Sequence, residues 1–561
     1  MPNTAFPGES PRESAAGAAP PSSGDLSDQQ RAAIADLFDS VVQELGELFS
    51  DGGHELAMVG GPVRDALIGR KVHDFDLTTD AVPQTILSLV EGWADAVWTV
   101  GIDFGTVGLR KGGLQLEITT YRSESYQPKS RKPEVHYGSS LHDDLLRRDF
   151  TVNAMAVRLP ERDFVDPFGG LADLEAGRLR TPAKPEDSFS DDPLRIMRAV
   201  RFAAQLGLTP APEVREAATG MADRLAIVSA ERVRDELTKL MLSDAPRTGV
   251  ELMAELGLAA HVLPEIPRMQ LEIDEHHRHK DVYDHSLTVL DQAIELERKR
   301  GFEPDLVLRL AALLHDIGKP KTRAFESGGR VTFHHHEVVG ASMAKSRLSA
   351  LRFPKDVVAA VGKLVALHLR FHGYGKGEWT DSAVRRYARD AGDQLQRLHI
   401  LTRADCTTRN RRKAVALARA YDDIERRIER LAEEEELNKV RPDLDGNEIQ
   451  EILGIRPGPE VGKAWRYLLE LRLENGPMGK DAAAAELRVP YLALVARGAL
   501  PPMPGAPALL PEIVAAQAAR ELAAPFPNRT AKRLDAPHPS HMTSPDAIAE
   551  AIESFLSGLA S

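Results

Sequence analysis

Two aspartates one residue apart stand near the centre of VGGPVRDALIGRKVHDFDLTTDA, the segment from Val59 to Ala81. In a strand, residues i and i+2 project from the same face, so Asp74 and Asp76 point together while Phe75 and Leu77 face a core. Paired carboxylates repel. A divalent cation relieves that repulsion, and oxygen-only ligation with room for water and phosphate oxygens favours magnesium. Upstream, Gly60 and Gly61 let the backbone approach a phosphate, and Pro62 opens a helix whose free N–H groups lie at its positive end. With Arg64 and Asp65 alongside, these residues read as a triphosphate cradle beside a metal site. In LQLEITTY, the residues Gln115, Glu117 and Thr119 share the polar face of another strand. Glu117 is therefore a candidate third carboxylate of a two-metal centre, and equally reads as a plain surface glutamate.

Two further segments fit a nucleotide enzyme. LLRRDFTVNAMAV carries Arg147, Arg148, Asp149 and Asn153 just before an apolar run, and DDPLRIMRAVRF places Asp192, Arg195, Arg198 and Arg201 at three-residue steps along one helical face. An aspartate beside an arginine can read a base edge. The guanidinium donates to ring acceptors while the carboxylate accepts from an exocyclic amine, a pattern that cytosine and adenine offer and that uracil and guanine reverse. Each segment alone also fits a solvated ion-pair ladder.

The elements that position these residues follow from periodicity. A helix is expected over Asp28–Leu48, a strand at Leu56–Val59, the helix after Pro62, a strand at Asp74–Thr78, a helix from Pro83, and a hairpin in FGTVGLRKGGLQLEITTYR turning at Gly112-Gly113. That is an α+β module. After Pro193 strand signals nearly vanish, and amphipathic helices such as PLRIMRAVRFAAQLG and LVLRLAALLHDIGKP continue to about Leu500.

A chain of 561 residues exceeds what one core normally supports, so several domains are expected. The net charge of −13 means that any nucleic-acid surface must be local. The single cysteine, Cys406, excludes a disulfide framework and a Cys-rich zinc site and fits a reducing cytoplasm. No run of about 18 apolar residues suggests a membrane span, and the Ser/Pro/Gly-rich start lacks the pattern of a signal peptide, so a cytoplasmic protein without a membrane partner is expected.

Six ordered motifs, VGGPVRDALIG, KVHDFDLTT, LLRRDFTVNAMAV, DPFGGLADLEAGRLRT, DDPLRIMRAVRFAAQLGL and ERVRDELTKLM, together resemble the bacterial class II tRNA nucleotidyltransferase and poly(A) polymerase family, most closely its CCA-adding members. The resemblance implies a polymerase-β-like palm with a mixed sheet, followed by an all-α neck. It implies that Asp74 and Asp76 bind catalytic magnesium, that Gly61, Arg64 and Arg148 hold the incoming triphosphate, and that Asp192 and Arg195 template CTP and then ATP, with Arg198 and Arg201 lining the same pocket. The partners implied are the tRNA 3' end, CTP and ATP, and not DNA. The family commonly has Glu where this chain has Asp191. Poly(A) synthesis shares all of these motifs and remains the alternative within the family.

Residues 280–410 resemble HD-type metal phosphohydrolases, with His285, the His315-Asp316 doublet, His336, His368 and Asp405 in the order H, HD, H, H, D. A mixed imidazole and carboxylate site suits manganese, nickel, cobalt or iron and the hydrolysis of phosphoesters at RNA ends. An HD phosphohydrolase with a vestigial nucleotidyl site is the alternative from another class. Arg403, Arg409, Arg411, Arg412 and Lys413 form the densest basic run, a candidate RNA contact. The expected organisation is a lead-in over 1–26, a nucleotidyltransferase head over 27–180, a helical neck over 181–268, an HD domain over 269–415, a tRNA-facing helical region over 416–500, and a tail over 501–561. The tail begins with a Pro-rich linker and resembles the last strand and helix of α/β-hydrolases, with His538 at the triad position. No G-x-S-x-G elbow occurs in the chain, which excludes a working hydrolase of that type.

Overall fold

A computed structural model of the chain describes residues 26–38, 40–72, 74–125, 134–137, 140–270, 281–326, 331–373, 379–406, 411–435 and 441–487. The chain divides into two compact units, one of residues up to 368 together with 400–407, the other of 369–399 and the chain from 408 onward.

The first unit opens with α1 (Asp28–Ala35), started by a capping box in which the Ser27 hydroxyl accepts from the Gln30 N–H and the Gln30 side chain accepts from the Ser27 N–H. The expected single helix over 28–48 is two helices, with α2 at Ser40–Asp51. The break turns both Leu37 and Phe38 into the core, which a continuous helix would place on diverging faces. There follow β1 (Leu56–Val59), α3 (Gly61–Leu67), β2 (Asp74–Thr79), α4 (Pro83–Leu89), β3 (Ala96–Trp98), β4 (Thr106–Lys111), β5 (Leu114–Thr120), the pair β6 (Arg122–Ser125) and β7 (Glu134–Tyr137), α5 (Leu141–Leu146), β8 (Ala156–Leu159) and β9 (Phe164–Val165). The β4–β5 turn uses Gly112 and Gly113, both at positive φ, as a tight hairpin requires.

Seven strands form one mixed sheet in the order β3-β4-β5-β2-β1-β8-β9, in which β2 and β5 are parallel and the other neighbours antiparallel. One face is apolar: Met58, Phe75, Leu77, Val107, Leu109, Leu116, Ile118 and Val157 pack with Val42, Leu45, Phe49 and Ile86 of the helices. On the other face a smaller cluster joins Ala57, Val59 and Ala156 to Leu141 and Leu145 of α5, which leaves the β2–β5 part of that face to polar residues.

Helices then dominate: α6 (Gly170–Glu175), α7 (Pro185–Asp191), α8 (Leu194–Leu206), α9 (Pro212–Gly220), α10 (Ala230–Met241), α11 (Pro246–Glu255), α12 (Ala259–Val262), α13 (Glu265–Arg268), α14 (Val282–Lys299), α15 (Leu306–Leu314), α16 (Lys319–Thr322), α17 (His336–Ala350) and α18 (Lys355–Leu367). The strands among them, β10 (Arg178–Leu179) with β11 (Thr209–Pro210) and β12 (Ala324–Phe325) with β13 (Val331–Thr332), are two-residue pairs. The second unit is built from α19 (Asp381–Ala391), the start of α20 (Leu395–Ala404), α21 (Arg411–Glu435), α22 (Gly446–Leu453) and α23 (Pro459–Asn475), with a core of Leu444, Ile449, Leu453, Leu468, Ala483 and Leu487. No helix among the described residues is long and apolar enough to cross a membrane.

Within the first unit a buried charge pair fastens α10 to α14 and α15. The Arg309 guanidinium, 1% exposed, donates to Glu297 Oε2 at 2.7 Å and to the carbonyls of Met241 and Ser243, both at 2.8 Å. Those carbonyls lie at the C-terminal end of α10, where helix carbonyls lack intrahelical partners. Arg309→Ala should destabilise the first unit by about 3–5 kcal/mol, because Glu297 is left buried and unpaired. The exposed Arg298→Ala should cost less than about 1 kcal/mol. Denaturant unfolding of the two variants compares them directly.

Candidate functional site

The polar face of the sheet is organised by register. Asp74 and Asp76 lie on the outward side of β2 and alternate with buried Phe75 and Leu77. In the parallel pairing of β2 with β5, Asp76 stands opposite Glu117 and Asp74 opposite Gln115. Partners across a ladder share a face, so three carboxylates gather there. Partial burial raises the Asp76 carboxyl above its ordinary range, and Glu117 and Asp74 push it further up while Arg148 and Arg198 pull it down. A cation among these oxygens would remove the mutual repulsion that the protein itself leaves only partly offset.

Where β1 ends, Gly60 adopts φ 75°, a conformation costly for other residues. A Cβ there would also lie 2.7 Å from Nη1 of Arg148, which crosses directly over the glycine. Arg148 itself extends from the turn after α5 and is held by Asp144 at 3.2 Å. Gly60, Gly61 and Arg148 thus meet at the end of β1, beside the carboxylates. Arg64, expected to hold the triphosphate, is 6% exposed, with Nε and Nη2 donating to Asp65 Oδ1 at 2.8 and 2.7 Å and Nη1 donating to Asn153 at 2.6 Å.

Asp149 is the junction of these groups with α8. Its Oδ1 accepts from the Asn153 side chain at 2.9 Å and its Oδ2 accepts from Arg198 at 2.6 Å. Burial would push this carboxyl up, but Arg198, Asn153 and Arg195 outweigh burial and hold it down at about 2. Phe202, on α8, sits among three guanidiniums, with the Arg201, Arg64 and Arg198 carbons 3.9, 5.3 and 5.5 Å from its ring centre. Arg201 is buried and donates to Glu236 on α10 at 2.6 Å and to Gln205 at 2.6 Å, so its guanidinium is occupied within the neck.

Asp192 does not belong to α8, as its spacing suggests. It ends α7 with extended backbone, and Pro193 separates it from the helix start at Leu194. Its Oδ1 accepts from the Leu194 N–H at 3.1 Å and its Oδ2 from Arg232 on α10 at 2.7 Å. Arg195 donates to the Ser188 hydroxyl at 2.9 Å and to the Arg147 carbonyl. Arg232, Glu236 and Phe202 are residues that motif reading passed over. The first two lie four apart in ERVRDELTKLM and the third four beyond Arg198, spacings that share a helical face.

A second cluster forms between α14, α15, α17, α18 and the end of α20. The HD residues expected from their order, His285, His315, Asp316, His336, His368 and Asp405, converge here. His285 Nε2 lies 2.9 Å from Asp405 and 3.3 Å from His315 Nε2, and Asp316 lies 3.2 Å from His315 and 3.3 Å from His336. Three imidazoles are aimed by the same device, Nδ1–H donation to a carbonyl three residues upstream: His315 to Ala312 at 2.9 Å, His336 to Phe333 at 2.7 Å, His368 to Val365 at 2.6 Å. Among the described residues, the buried Nε2 atoms of His336 and His368 have no hydrogen-bond partner. Two ligand groups overlap at Asp316, one with His285 and His315, the other with His336 and His368. Burial would lower His315, but Asp316 and Asp405 hold it up at about 10, while burial and the His315 charge push His368 down to about 4. Four imidazoles and two carboxylates converging in one place, two of the imidazoles with buried unsatisfied nitrogens, fit a metal.

The basic run divides. Arg403 lies on α20 and Arg412 is exposed on α21, Arg409 falls outside the described residues, and so do the side chains of Arg411 and Lys413. The tail with His538 and the lead-in over residues 1–25 also lie outside them.

Comparison with known proteins adds the following. Residues 56–180 match the poly A polymerase head domain, residues 207–269 the probable RNA and SrmB-binding site of polymerase A, and residues 282–410 the HD domain. The chain is 34% identical over 426 residues to an A-adding tRNA nucleotidyltransferase of Deinococcus radiodurans, covering 74% of this chain and 91% of that one. It is 32% identical over 437 residues to a CC-adding tRNA nucleotidyltransferase of Thermus thermophilus, covering 76% and 92%. A CCA-adding enzyme of Bacillus pumilus is 43% identical over 190 residues, 34% of this chain and 46% of that enzyme. The fold is also that of a Bacillus stearothermophilus CCA-adding enzyme solved with CTP, with a TM-score of 0.59 and 23% identity over 80% of this chain and 98% of that one.

The depressed Asp149 carboxyl gives a pH prediction. Because its folded value lies below its ordinary one, its stabilisation is present above about pH 4 and is lost as pH falls through about 2, amounting to about 2 kcal/mol. Denaturant unfolding at pH 5 and pH 2.5 should show a smaller loss for Asp149→Asn than for the unaltered chain.

Proposed function

The chain belongs to the tRNA nucleotidyltransferase family, and from that premise we propose that it builds or repairs the 3'-terminal CCA of tRNA from CTP and ATP. The observation that carries this reading is the row of Asp74, Asp76 and Glu117 beside the Gly60–Arg148 crossing, with Asp192 and Arg195 at the start of the neighbouring α8. Asp74, Asp76 and Glu117 would hold two magnesium ions. When bound, these ions activate the attacking 3'-hydroxyl and offset charge at the α-phosphorus. Arg148, free to lie over Gly60 because no Cβ intrudes, grips the triphosphate and lines up pyrophosphate as the leaving group. Arg64, tied to Asp65 and Asn153, positions that grip from behind. Asp192, steadied by Arg232, accepts the exocyclic amine of cytosine or adenine while Arg195 donates to the ring acceptors. The protein thereby replaces a template strand, and much of the rate follows from alignment of the reacting groups.

Each labelled NTP, offered with tRNA ending at the discriminator base, tests this. CMP and then AMP incorporation is expected. AMP alone in long tracts would mean a poly(A) polymerase, and CMP alone or a single AMP would assign the chain one part of the task. Asp76→Ala should abolish addition, and Asp192→Ala should lower CTP-over-UTP selectivity by about tenfold or more, one good base-edge contact being worth about 1–3 kcal/mol.

The second cluster supports a separate activity, metal-dependent phosphoester hydrolysis at RNA 3' ends, with manganese, nickel, cobalt or iron held by His285, His315, Asp316, His336, His368 and Asp405. The buried unpartnered nitrogens of His336 and His368 support it. His315→Ala should lose the metal, read by elemental analysis, and the release of phosphate from 3'-phosphorylated RNA, while CMP addition persists. Persistence of phosphate release in that variant would count against this activity.

A further inference from the structure

The polar face of the sheet continues beyond the carboxylates. Asp76 stands opposite Glu117, Glu117 opposite Gly108, and Gly108 opposite Trp98. The four positions form one row across β2, β5, β4 and β3, and ladder partners share a face. Gly108 has no side chain to fill its place, and the Trp98 indole fills it: a Cβ on Gly108 would fall within that ring. The indole thus lies along the row toward Glu117, partly exposed, and its N–H has no partner among the described residues. Two strand spacings, about 10 Å, separate Gly108 from Asp76.

The next row repeats the pattern with Asp74, Gln115, Arg110 and Ala96. Arg110 is exposed on the same face, and its guanidinium has no hydrogen bond or ion pair among the described residues. An aromatic surface and a free cation therefore flank the carboxylates on the β4–β3 side. The phosphate-gripping groups, Gly60, Gly61 and Arg148, flank them on the β1 side.

Phosphoryl transfer requires the attacking and leaving oxygens to lie roughly in line through phosphorus. With pyrophosphate leaving toward the β1 side, the attacking hydroxyl must arrive from β5 and β4, where the indole and Arg110 lie. We propose that Trp98 and Arg110 form the seat of the RNA primer's last nucleotide, its base stacked on the indole and its phosphate held by the guanidinium. This rests on the nucleotidyl-transfer reading and adds a substrate subsite to it. The occupant is RNA rather than the incoming nucleotide, because the base of the latter is drawn to Asp192 and Arg195, and Arg195 is bonded to the Arg147 carbonyl, next to the Arg148 that lies over Gly60 on the β1 side.

The full-length chain is assayed on two RNAs, a tRNA ending at the discriminator base and the same tRNA with an abasic last nucleotide. Trp98→Leu, which keeps apolar bulk over Gly108, and Trp98→Ala should each raise KM for the ordinary RNA roughly tenfold. KM for CTP and the CTP-over-UTP ratio should be unchanged, and Trp98→Phe should restore most of the loss. On the abasic RNA the unaltered chain should already show the higher KM, and Trp98→Leu should add nothing. Arg110→Ala should raise KM for both RNAs and reduce the salt dependence of binding by about one unit of slope. Equal shifts on the two RNAs, a rise in KM for CTP instead, or no shift would each overturn the proposal. If the unaltered chain adds no nucleotide to either RNA, the nucleotidyl reading fails by itself. Fluorescence anisotropy with the same RNA pair then decides the seat: base-dependent weakening in Trp98→Leu upholds it, and base-independent binding overturns it.

Discussion

Head and neck are joined through a buried carboxylate that has to stay charged. Asp149 accepts from Asn153 on one side and from Arg198 on the other, and the same Asn153 accepts from Arg64 beside the glycine cradle. Three guanidiniums, Arg64, Arg198 and Arg201, crowd around the ring of Phe202, and three carboxylates, Asp65, Asp149 and Glu236, offset them. Removal of Asp149, which is nearly fully buried, takes away the nearest carboxylate of Arg198, and that is more costly than a lost surface pair. The arrangement therefore specifies one orientation of α8 against the sheet. With it come the places of Asp192 and Arg195 relative to Asp74 and Asp76.

The two polar centres handle the same electrostatic problem differently. On the sheet, Asp74, Asp76 and Glu117 face solvent on a strand ladder, where they repel one another and leave room for ions, water and phosphate. In the helical cluster, Asp316 is buried among His315, His336 and His368, whose Nδ1 atoms are committed to backbone carbonyls, so their Nε2 atoms turn inward. An open carboxylate face suits a large substrate carried by hard, hydrated ions. A closed nitrogen-rich pocket suits a tightly held transition metal.

Much of the head was legible because its signals are local. Alternation of two along HDFDLTT and LQLEITTY placed Asp74, Asp76, Glu117 and the buried Phe75 and Leu77 correctly on their strands, and Gly112-Gly113 marked the hairpin turn. The order of the HD residues foretold their convergence. Local reading failed where packing overrides period. The helix expected over 28–48 is broken so that Leu37 and Phe38 both reach the core, and Asp192 lies before the helix because Pro193 begins the turn into it.

Composition and spacing by themselves determined which side chains could do chemistry, since strand and helix periods fix which neighbours share a face. They could not say which of those side chains remain free, because that depends on partners far away in the chain. Arg64 and Arg201 read as phosphate or base contacts from their spacing, and only the fold shows that Asn153 and Glu236 also hold them. Trp98 carried no signal until the registers of four strands laid it in line with Glu117 and Asp76. Register between distant strands and the pairing of buried charges are properties of tertiary packing, and they decide whether a suitable residue becomes part of a site or part of its support.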